Sequence, residues 1–364
     1  MLFRLLGVLV LAGSLALGWV IMEYHSFLET PLRVPPKGMV YTLTPGTSLG
    51  ALAQELAQRG VIRHPRFLVW LGRRAGYAAR IQAGEYRLTP GMHPEDLLRM
   101  LVAGRVVQHS LTLVEGWTFR EVRAAVKSDP VLHHELNGLS DAQIMKRLGH
   151  PGRKPEGLFY PDTYRFPRGT TDLAFLERAY RTMQHHLDKA WARRAKGLPL
   201  KSPYQALILA SIVEKETAVP RERPRIAGVF IRRLERGMRL QADPTVIYGL
   251  GRAFDGDLHT RDLRHDTPYN TYTRGGLPPT PIAMPGGASI HAVLHPAAGD
   301  ALYFVARGDG THVFSRTLAE HDRAVRRYQL HQGSAGGSGK SAGSSRNERA
   351  AQGGNDAGEA DGAR

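Results

Sequence analysis

The chain opens with an unbroken apolar run, and amphipathic segments follow it. Leu5 to Met22 contains no charged residue, Arg4 precedes it and Glu23 follows it. A run of that length just spans a bilayer, and a basic residue before it favours a cytoplasmic N-terminus. The pattern predicts a cytoplasmic tip at residues 1–4, a single-pass anchor at 5–22, and a location outside the cytoplasm for everything after. A cleaved signal peptide is the alternative, although no A-x-A site follows the run.

A strand-turn-helix unit repeats after the anchor. The proline-containing residues 23–38 predict a linker between the membrane and the folded part. Leu43-Thr44-Pro45-Gly46 then recurs as Leu88-Thr89-Pro90-Gly91, and each copy follows a strand-like segment and precedes a helix with one apolar face. No single unit could bury that face alone. Residues 39–115 are therefore predicted to form one subdomain, with a weaker third copy from Leu113.

A helix with few polar residues starts at Pro203 and ends before Pro220. Its most apolar stripe follows the spacing i, i+3, i+4, i+7 and consists of Leu209, Ile212, Val213 and Glu216. Glu214 lies about 200° around the helix axis from Glu216, so the two carboxylates cannot enter one cleft together.

A carboxyl group on an apolar stripe is costly to ionise, so its pKa rises and it can donate a proton near neutral pH. Glu216 is therefore the candidate acid, and Glu214 is predicted to be an outer-face or supporting residue. The competing interpretation is a solvated face, because two glutamates that flank a lysine near a helix end are usually exposed. The helix that follows carries arginines predicted to form a solvated basic face: Arg221, Arg223, Arg225, Arg232 and Arg233.

Three further segments could surround this acid. Residues 156–164 mix aromatic and acidic side chains in a loop broken by Gly157 and Pro161, which is typical of a sugar cleft or of a corner packed on the core. Asp243 begins a turn after a short predicted strand, where it could either bind the substrate or cap the N-terminus of the next helix. Residues 268–285 contain too much proline for regular structure, and predict a rigid loop that exposes Tyr, Asn and Thr as a binding wall.

Composition narrows the chemistry. The 364 residues include no cysteine, which excludes disulfides, thiolate metal sites and cysteine nucleophiles. The formal net charge of +16 indicates an anionic partner; no nucleic-acid-binding motif is present, so an envelope polymer or lipid headgroups are expected.

His185 and His186 point apart on a helix predicted over Asp172–Ala195, and neither a metal nor a cofactor is expected. Residues 332–364 are rich in glycine, serine and charges, and predict a disordered tail.

Two resemblances to known families follow from these motifs. Tyr41-Thr42-Leu43 followed by Pro45-Gly46-Thr47-Ser48-Leu49 looks like a LysM-type module, a class that binds N-acetylglucosamine-containing glycans; a packing domain without sugar binding is the alternative.

The second resemblance covers roughly residues 39 to 330 and is to the endolytic murein transglycosylases of the YceG-like family. Its blocks are Ala210-Ser211-Ile212-Val213-Glu214-Lys215-Glu216-Thr217-Ala218, Gln241-Ala242-Asp243-Pro244-Thr245-Val246-Ile247-Tyr248-Gly249, Tyr269-Asn270-Thr271-Tyr272, Leu277-Pro278-Pro279 and Tyr303-Phe304-Val305-Ala306.

This resemblance implies an α+β protein: an N-terminal transmembrane helix, the LysM-like strand-turn-helix module at 39–115, and a mixed α+β catalytic domain at 116–331. It implies a single-pass inner-membrane enzyme whose catalytic domain lies in the periplasm and acts on peptidoglycan glycan strands beside peptidoglycan synthases. The family cleaves the β-1,4 bond between N-acetylmuramic acid and N-acetylglucosamine in nascent strands and leaves a 1,6-anhydro end. Such cleavage would terminate strand elongation.

Site residues are also implied. The family's essential glutamate matches Glu216, and Glu216-Thr217 resembles the Glu-Ser pair of other lytic transglycosylases and goose-type lysozymes. Glu214 and Thr217 are expected to support the acid. Sugar contacts are expected from Tyr160 as a stacking ring and from Gln241, Asp243, Tyr269, Asn270 and Tyr272. The rival function is a membrane-anchored peptidoglycan-binding scaffold without turnover.

Overall fold

The computed structural model describes residues 2–330. Its first helix, α1 (Leu2–Glu29), extends beyond the predicted anchor at both ends. The side chains of its apolar part are exposed, and Phe3–Glu29 has the length and the mean hydropathy, 2.4, of a membrane span. The helix is thus compatible with an anchor. The predicted disordered tail, residues 332–364, lies outside the described residues.

The segment predicted as a linker is packed against the folded part. Helix α1 continues into it, and the side chains of Phe27 and Leu32 are buried. The backbone N–H of Leu32 donates to the carbonyl of Met92 at 2.7 Å. The prediction of a free spacer over residues 23–38 is therefore wrong, because buried apolar side chains fix this segment to the first folded unit.

The first core, from Phe27 to Leu101, is built on the repeat. The strands of its two copies pair with each other antiparallel, and Tyr41 lies opposite Tyr86. Helix α3, which the sequence analysis did not foresee, fills the space between the copies. The elements are β1 (Met39–Leu43), α2 (Leu49–Gln58), α3 (Pro65–Arg74), β2 (Gly84–Leu88) and α4 (Pro94–Val102).

The second core, from Leu113 to Leu294, is mainly helical. Strand β3 pairs antiparallel with β4, and β5 with β6. The elements are β3 (His109–Thr112), α5 (Phe119–Ser128), α6 (Asp141–Arg147), β4 (Thr163–Phe166), α7 (Asp172–Ala192), α8 (Pro203–Glu216), α9 (Arg223–Glu235), α10 (Asp243–Leu250), α11 (Thr260–Arg264), α12 (Gly287–Leu294), β5 (Tyr303–Ala306), β6 (His312–Ser315) and α13 (Leu318–Val325).

The mixed α+β architecture with an N-terminal apolar helix is confirmed, and several local predictions are not. Residues 109–115, assigned to the first subdomain, belong to the second body, because β3 pairs with β4 and Leu113 is buried in the second core. Residues 129–149 contain one short helix, α6. The short strand predicted before Asp243 is absent: residues 238–241 form no strand, and the N–H of Gln241 donates to the carbonyl of Thr271 in a loop.

Helix α8 is the centre of the second core. Every residue from Ala206 to Val213 is buried, so the helix is enclosed on all sides instead of on one stripe. It packs against α7, α9, α10 and α12. Ser202 caps its start by accepting from the N–H of Gln205, and Pro203 occupies the first turn, where a missing N–H does no harm.

Candidate active site

Glu216 is the last residue of α8, at the point where the buried helix reaches the surface. Thr217 leaves the helix in an extended conformation, and its Oγ1 accepts from the N–H of Val219 at 3.0 Å. Glu216 is partly exposed, whereas the residues from Ala206 to Val213 earlier in the helix are all buried. No hydrogen bond to its carboxyl group is found among residues 2–330, so the group is available to a ligand.

The surroundings of Glu216 favour its neutral form. Burial and, to a smaller extent, the nearby charge of Asp243 raise the pKa of Glu216, Arg233 opposes them, and the net value is about 8. The position at a helix C-terminus acts in the same direction as burial, because the exposed carbonyl ends carry partial negative charge. A carboxyl group with such a pKa is protonated at neutral pH and can act as an acid.

Asp243 and Tyr272 form a pair beside this acid. The Tyr272 hydroxyl donates to Oδ1 of Asp243 at 2.5 Å. Burial and the charge of Asp243 raise the pKa of Tyr272 well above its ordinary range, so the hydroxyl stays protonated. Asp243 is exposed and is the first residue of α10, whose cap position is Ala242. The alternative role of Asp243 as an N-cap is therefore wrong.

Gln241 and Arg233 complete the cluster. Gln241 is exposed and has a φ of 50°, the left-handed region that is uncommon for a residue with a side chain. Its side-chain oxygen accepts from Arg233 at 3.4 Å, and Arg233 also donates to the carbonyls of Leu240 at 2.6 Å and Leu302 at 2.7 Å. Arg233 thus fixes the segment before α10 beneath the acid. We call Glu216, Arg233, Gln241, Asp243 and Tyr272 the acid cluster.

Arg233 corrects the predicted basic face of α9. Its side chain is buried, Arg223 and Arg232 are partly buried, and only Arg221 and Arg225 are exposed. The sequence could have indicated that Arg233 is buried. Arg233 occupies the i+7 position of the stripe that contains Ile226, Val229 and Phe230. The helical spacing that singles out Glu216 therefore singles out Arg233 as well.

Asn270 is not a sugar contact. It is fully buried, and its side-chain amide donates to the carbonyls of Asp262, Leu263 and His265, while its oxygen accepts from the N–H of Tyr272 at 2.8 Å. All the side-chain hydrogen bonds of Asn270 are therefore made with backbone groups of residues 262–272. Residues 268–285 contain no helix or strand, as predicted, but Asn270 and Thr271 lie on the inside of this loop instead of its exposed face.

Tyr269 and Tyr160 face other parts of the molecule. The hydroxyl of Tyr269 bonds to Thr280 at 2.8 Å, and its ring meets the ring of Tyr248 edge-on. Tyr160 stacks on His186 with ring centroids 4.1 Å apart, on the side of the fold that carries Gly287. The structure thus brings Gln241, Asp243 and Tyr272 to Glu216, and directs Tyr160 and Tyr269 to other partners.

Glu214 does not lie on a solvated outer face. Only 5% of its side chain is exposed, and it forms a salt bridge with Arg223 at 3.0 Å. Its other oxygen accepts from the N–H of Gly286 at 3.0 Å. Glu214 therefore joins α8 to α9 and to the loop before α12, which is a supporting position on the side opposite Glu216.

Glu156 is a second carboxyl group with a raised pKa, and sequence reasoning missed it. Burial raises its pKa to about 7, against hydrogen bonds from Tyr248 and Phe119 that lower it. Both oxygens are occupied, by the Tyr248 hydroxyl and by the N–H of Phe119, each at 2.9 Å. Glu216 has no such partners, so it is the better acid. The loop around Glu156 is a corner packed on the core, since Leu158 and Phe159 are also buried.

Most of the acid cluster reaches solvent, since Gln241 and Asp243 are exposed and Glu216 and Tyr272 are partly exposed. Two cavities of about 450 and 440 Å³ occur in the described part of the chain, and Glu216 lines neither. No cluster of metal-ligating side chains is found within residues 2–330. A partly exposed acid flanked by exposed polar side chains can be reached by a ligand from solvent.

Much of this sequence is shared with proteins of known name. A protein of Bacillus subtilis strain 168 named endolytic murein transglycosylase is 31% identical over 86% of this chain and 91% of its own length. A Streptococcus pneumoniae protein of the same name is 28% identical over 83% of this chain, which spans 61% of that relative. The crystal structure of a YceG-like protein from Listeria monocytogenes, 28% identical, superposes with a TM-score of 0.51 over 79% of this chain and 99% of that one. The model of the YceG-like family matches residues 41–327, and the chain belongs to this family.

Proposed function

We infer that this protein is an endolytic peptidoglycan lytic transglycosylase. The observation that carries the inference is the Glu216 carboxyl group, which receives no hydrogen bond from residues 2–330 and has a pKa raised to about 8 beside the exposed side chains of Gln241 and Asp243. The kinship with endolytic murein transglycosylases supplies the substrate class.

One carboxyl group suffices for the reaction. Neutral Glu216 gives its proton to the glycosidic oxygen as the bond from that oxygen to C1 of N-acetylmuramic acid breaks. The Glu216 carboxylate then takes the proton of the C6 hydroxyl while that oxygen closes on C1. The products are a free N-acetylglucosamine hydroxyl and a 1,6-anhydro end, and Glu216 is neutral again. No water is consumed.

The rest of the acid cluster binds and orients the sugar in this proposal. Asp243 and Gln241 are exposed and offer hydrogen-bond acceptors, and Tyr272 holds Asp243 in place. Thr217 and Glu214 fix the end of α8 from behind. We propose no sugar contact for Asn270.

The test is a digest of purified peptidoglycan with full-length protein, analysed by mass spectrometry. We expect muropeptides with 1,6-anhydro ends from the unchanged chain, and none from Glu216→Gln. The control is Glu235→Gln, an exposed glutamate of α9, which should act like the unchanged protein. Products with reducing ends would indicate hydrolysis, and retained activity of Glu216→Gln would assign the acid elsewhere.

Membrane attachment and glycan recognition extend the proposal. We propose that α1 anchors the chain in the inner membrane with its catalytic part in the periplasm, beside peptidoglycan synthases. The first core would be a LysM-like module that holds the same glycan strand; its paired repeat strands support a compact independent unit. Co-sedimentation of Glu216→Gln with intact sacculi, with and without competing glycan fragments, tests binding separately from cleavage.

A further inference from the structure

Helix α3 lies beside α1 at the point where the apolar run ends. Within one helical turn beyond Met22, Glu23 bonds to His64 at 3.0 Å, and the ring of Tyr24 contacts Trp70 at a centroid distance of 4.3 Å. The ring of Phe67 also meets Tyr24, at 5.6 Å. These contacts hold α3 beside the part of α1 that directly follows the apolar run.

The segment that contains α3 is strongly basic. No acidic residue occurs between Glu55 and Glu85, and the arginines of this segment are Arg59, Arg63, Arg66, Arg73, Arg74 and Arg80. Arg59 pairs with Glu55. In the part of the chain that the structure describes, none of the other arginines forms a salt bridge, and all of them are exposed. Exposed cations that form no salt bridge attract external anions.

Trp70 gives this surface a second property. It remains 47% exposed although it contacts Tyr24, and the Arg74 guanidinium lies 5.5 Å from the centre of its ring. Tryptophan and tyrosine prefer the boundary between lipid tails and water, where the ring is apolar and the N–H or O–H is wet. An exposed tryptophan among unpaired arginines is therefore suited to a phospholipid headgroup layer.

We propose that α3 and its flanking arginines form a second membrane contact that lies on the surface of an anionic bilayer beside α1. This inference rests on the proposed anchor and goes beyond it, because a single helix in a bilayer leaves the attached body free to tilt and rotate. The contact would hold the first core against the headgroups in one orientation. The arginines bind phosphate groups, and Trp70 enters the boundary layer.

The test uses the absence of cysteine in the chain, which allows one introduced cysteine to carry a fluorescent label without background. Ala75→Cys places the label on an exposed position directly after Arg73 and Arg74. The matched control is Ala192→Cys, an exposed alanine that ends α7 beside Arg193 and Arg194 in the second body. Ala12→Cys, inside the apolar run of α1, reports insertion.

Full-length protein is reconstituted in vesicles of phosphatidylcholine with phosphatidylglycerol that contain quencher lipids labelled near the headgroup. We expect strong quenching and blue-shifted emission at Ala75→Cys, and little change at Ala192→Cys. The quenching at Ala75→Cys should decrease in pure phosphatidylcholine, at high salt, and in the double variant Arg73→Gln/Arg74→Gln. The double variant Arg193→Gln/Arg194→Gln should leave this quenching unchanged. Circular dichroism checks that the exposed substitutions preserve the fold.

Three results would overturn the proposal. If Ala12→Cys is quenched from the lipid tails but Ala75→Cys behaves like Ala192→Cys, α1 is an anchor and α3 does not touch the membrane. If Ala12→Cys is not quenched, the anchor proposal fails and the second contact fails with it. If soluble peptidoglycan fragments change the Ala75→Cys signal and lipid does not, the basic surface binds glycan.

Discussion

At the residue scale, the Glu216 carboxyl group lies between opposed charges, and removal of one of them has a predictable effect on pH dependence. Burial and Asp243 raise the pKa of Glu216, and Arg233 lowers it. A general acid works below its pKa, so activity should fall as pH rises through about 8. Asp243→Asn removes the negative charge, and we expect the alkaline limit of kcat/KM to move to lower pH.

The control for this prediction is Asp266→Asn. Asp266 is an exposed aspartate that forms a salt bridge with Arg274 at 2.8 Å and lies outside the acid cluster. Its substitution should leave the alkaline limit in place. An unchanged limit in Asp243→Asn, together with reduced activity, would restrict Asp243 to binding.

Glu216 should also lower the stability of the protein at neutral pH. The carboxyl ionises near 4.5 in the unfolded chain and near 8 in the folded one. Between those values the unfolded state is favoured by ionisation, so the folded state loses stability as pH rises. We expect Glu216→Gln to raise the free energy of unfolding at pH 8 by about 1 to 3 kcal/mol, a value reduced from the full shift because the side chain is partly exposed. Denaturation at pH 4, where both states are protonated, should show no such gain.

Helical phase explains which residue roles were predictable. The apolar stripe of α8 singles out Glu216 because a helix fixes the direction of every side chain. The same helical phase leaves Glu214 as an outer-face or supporting residue, and it could not reveal the salt bridge with Arg223, because that partner lies on another helix. Asn270 was misassigned because the side chains of an irregular loop have no period that separates inside from outside.

At the scale of elements, one serine joins α8 to the proline-rich loop. The Ser211 hydroxyl donates to the carbonyl of Ile208 and accepts from the N–H of Ile282 at 2.9 Å. Ser211→Ala would leave that buried N–H without a partner, which costs about 1 to 3 kcal/mol in the free energy of unfolding. Chemical denaturation measures the loss.

Ser289 is the matched control on the neighbouring helix α12. It is as fully buried as Ser211, and its hydroxyl has no hydrogen-bond partner within the described residues. Ser289→Ala should therefore be neutral or slightly stabilising. Equal losses in the two variants would mean that packing, instead of the bond to the loop, determines the effect.

Elements with strong local signals were predicted well. The helix beginning at Pro203 is present, as are the helices predicted after the two copies of the repeat, α2 and α4. Helix α3 was missed because arginines interrupt its apolar positions, of which only Leu68 is a buried large side chain. A short helix with so few buried apolar positions gives a weak helical period in the sequence.

At the scale of the whole molecule, Glu85 joins the two cores. It belongs to β2, and its carboxylate bonds to His109 at 2.6 Å and to Arg168 at 2.5 Å, both in the second body. Burial raises the pKa of Glu85, but these hydrogen bonds outweigh it and leave the pKa below its usual value. The stabilisation is therefore present above pH 4.5 and lost as pH falls through the lowered pKa.

Glu85→Gln should loosen the junction between the cores. We expect faster proteolysis between Gly104 and His109 and a loss of about 1 to 3 kcal/mol, because a nearly buried charged partner is removed. Glu177→Gln, which breaks the exposed pair with Arg181, should change stability by less than about 0.5 kcal/mol. Similar proteolysis in both variants would contradict a role of Glu85 in the junction.

The packing of residues 27–34 against the first core has a consequence for where the enzyme can cut. A membrane helix that runs unbroken into a folded body acts as a strut instead of a tether. With α1 as the anchor and α3 against the headgroups, the body could not tilt, so the height of Glu216 above the bilayer would be a fixed dimension of the fold, and only glycan bonds at that height would come within reach. Each added helical turn would lift the site by about 5.4 Å. Distance from the membrane would thereby set the position of the cut along an emerging strand.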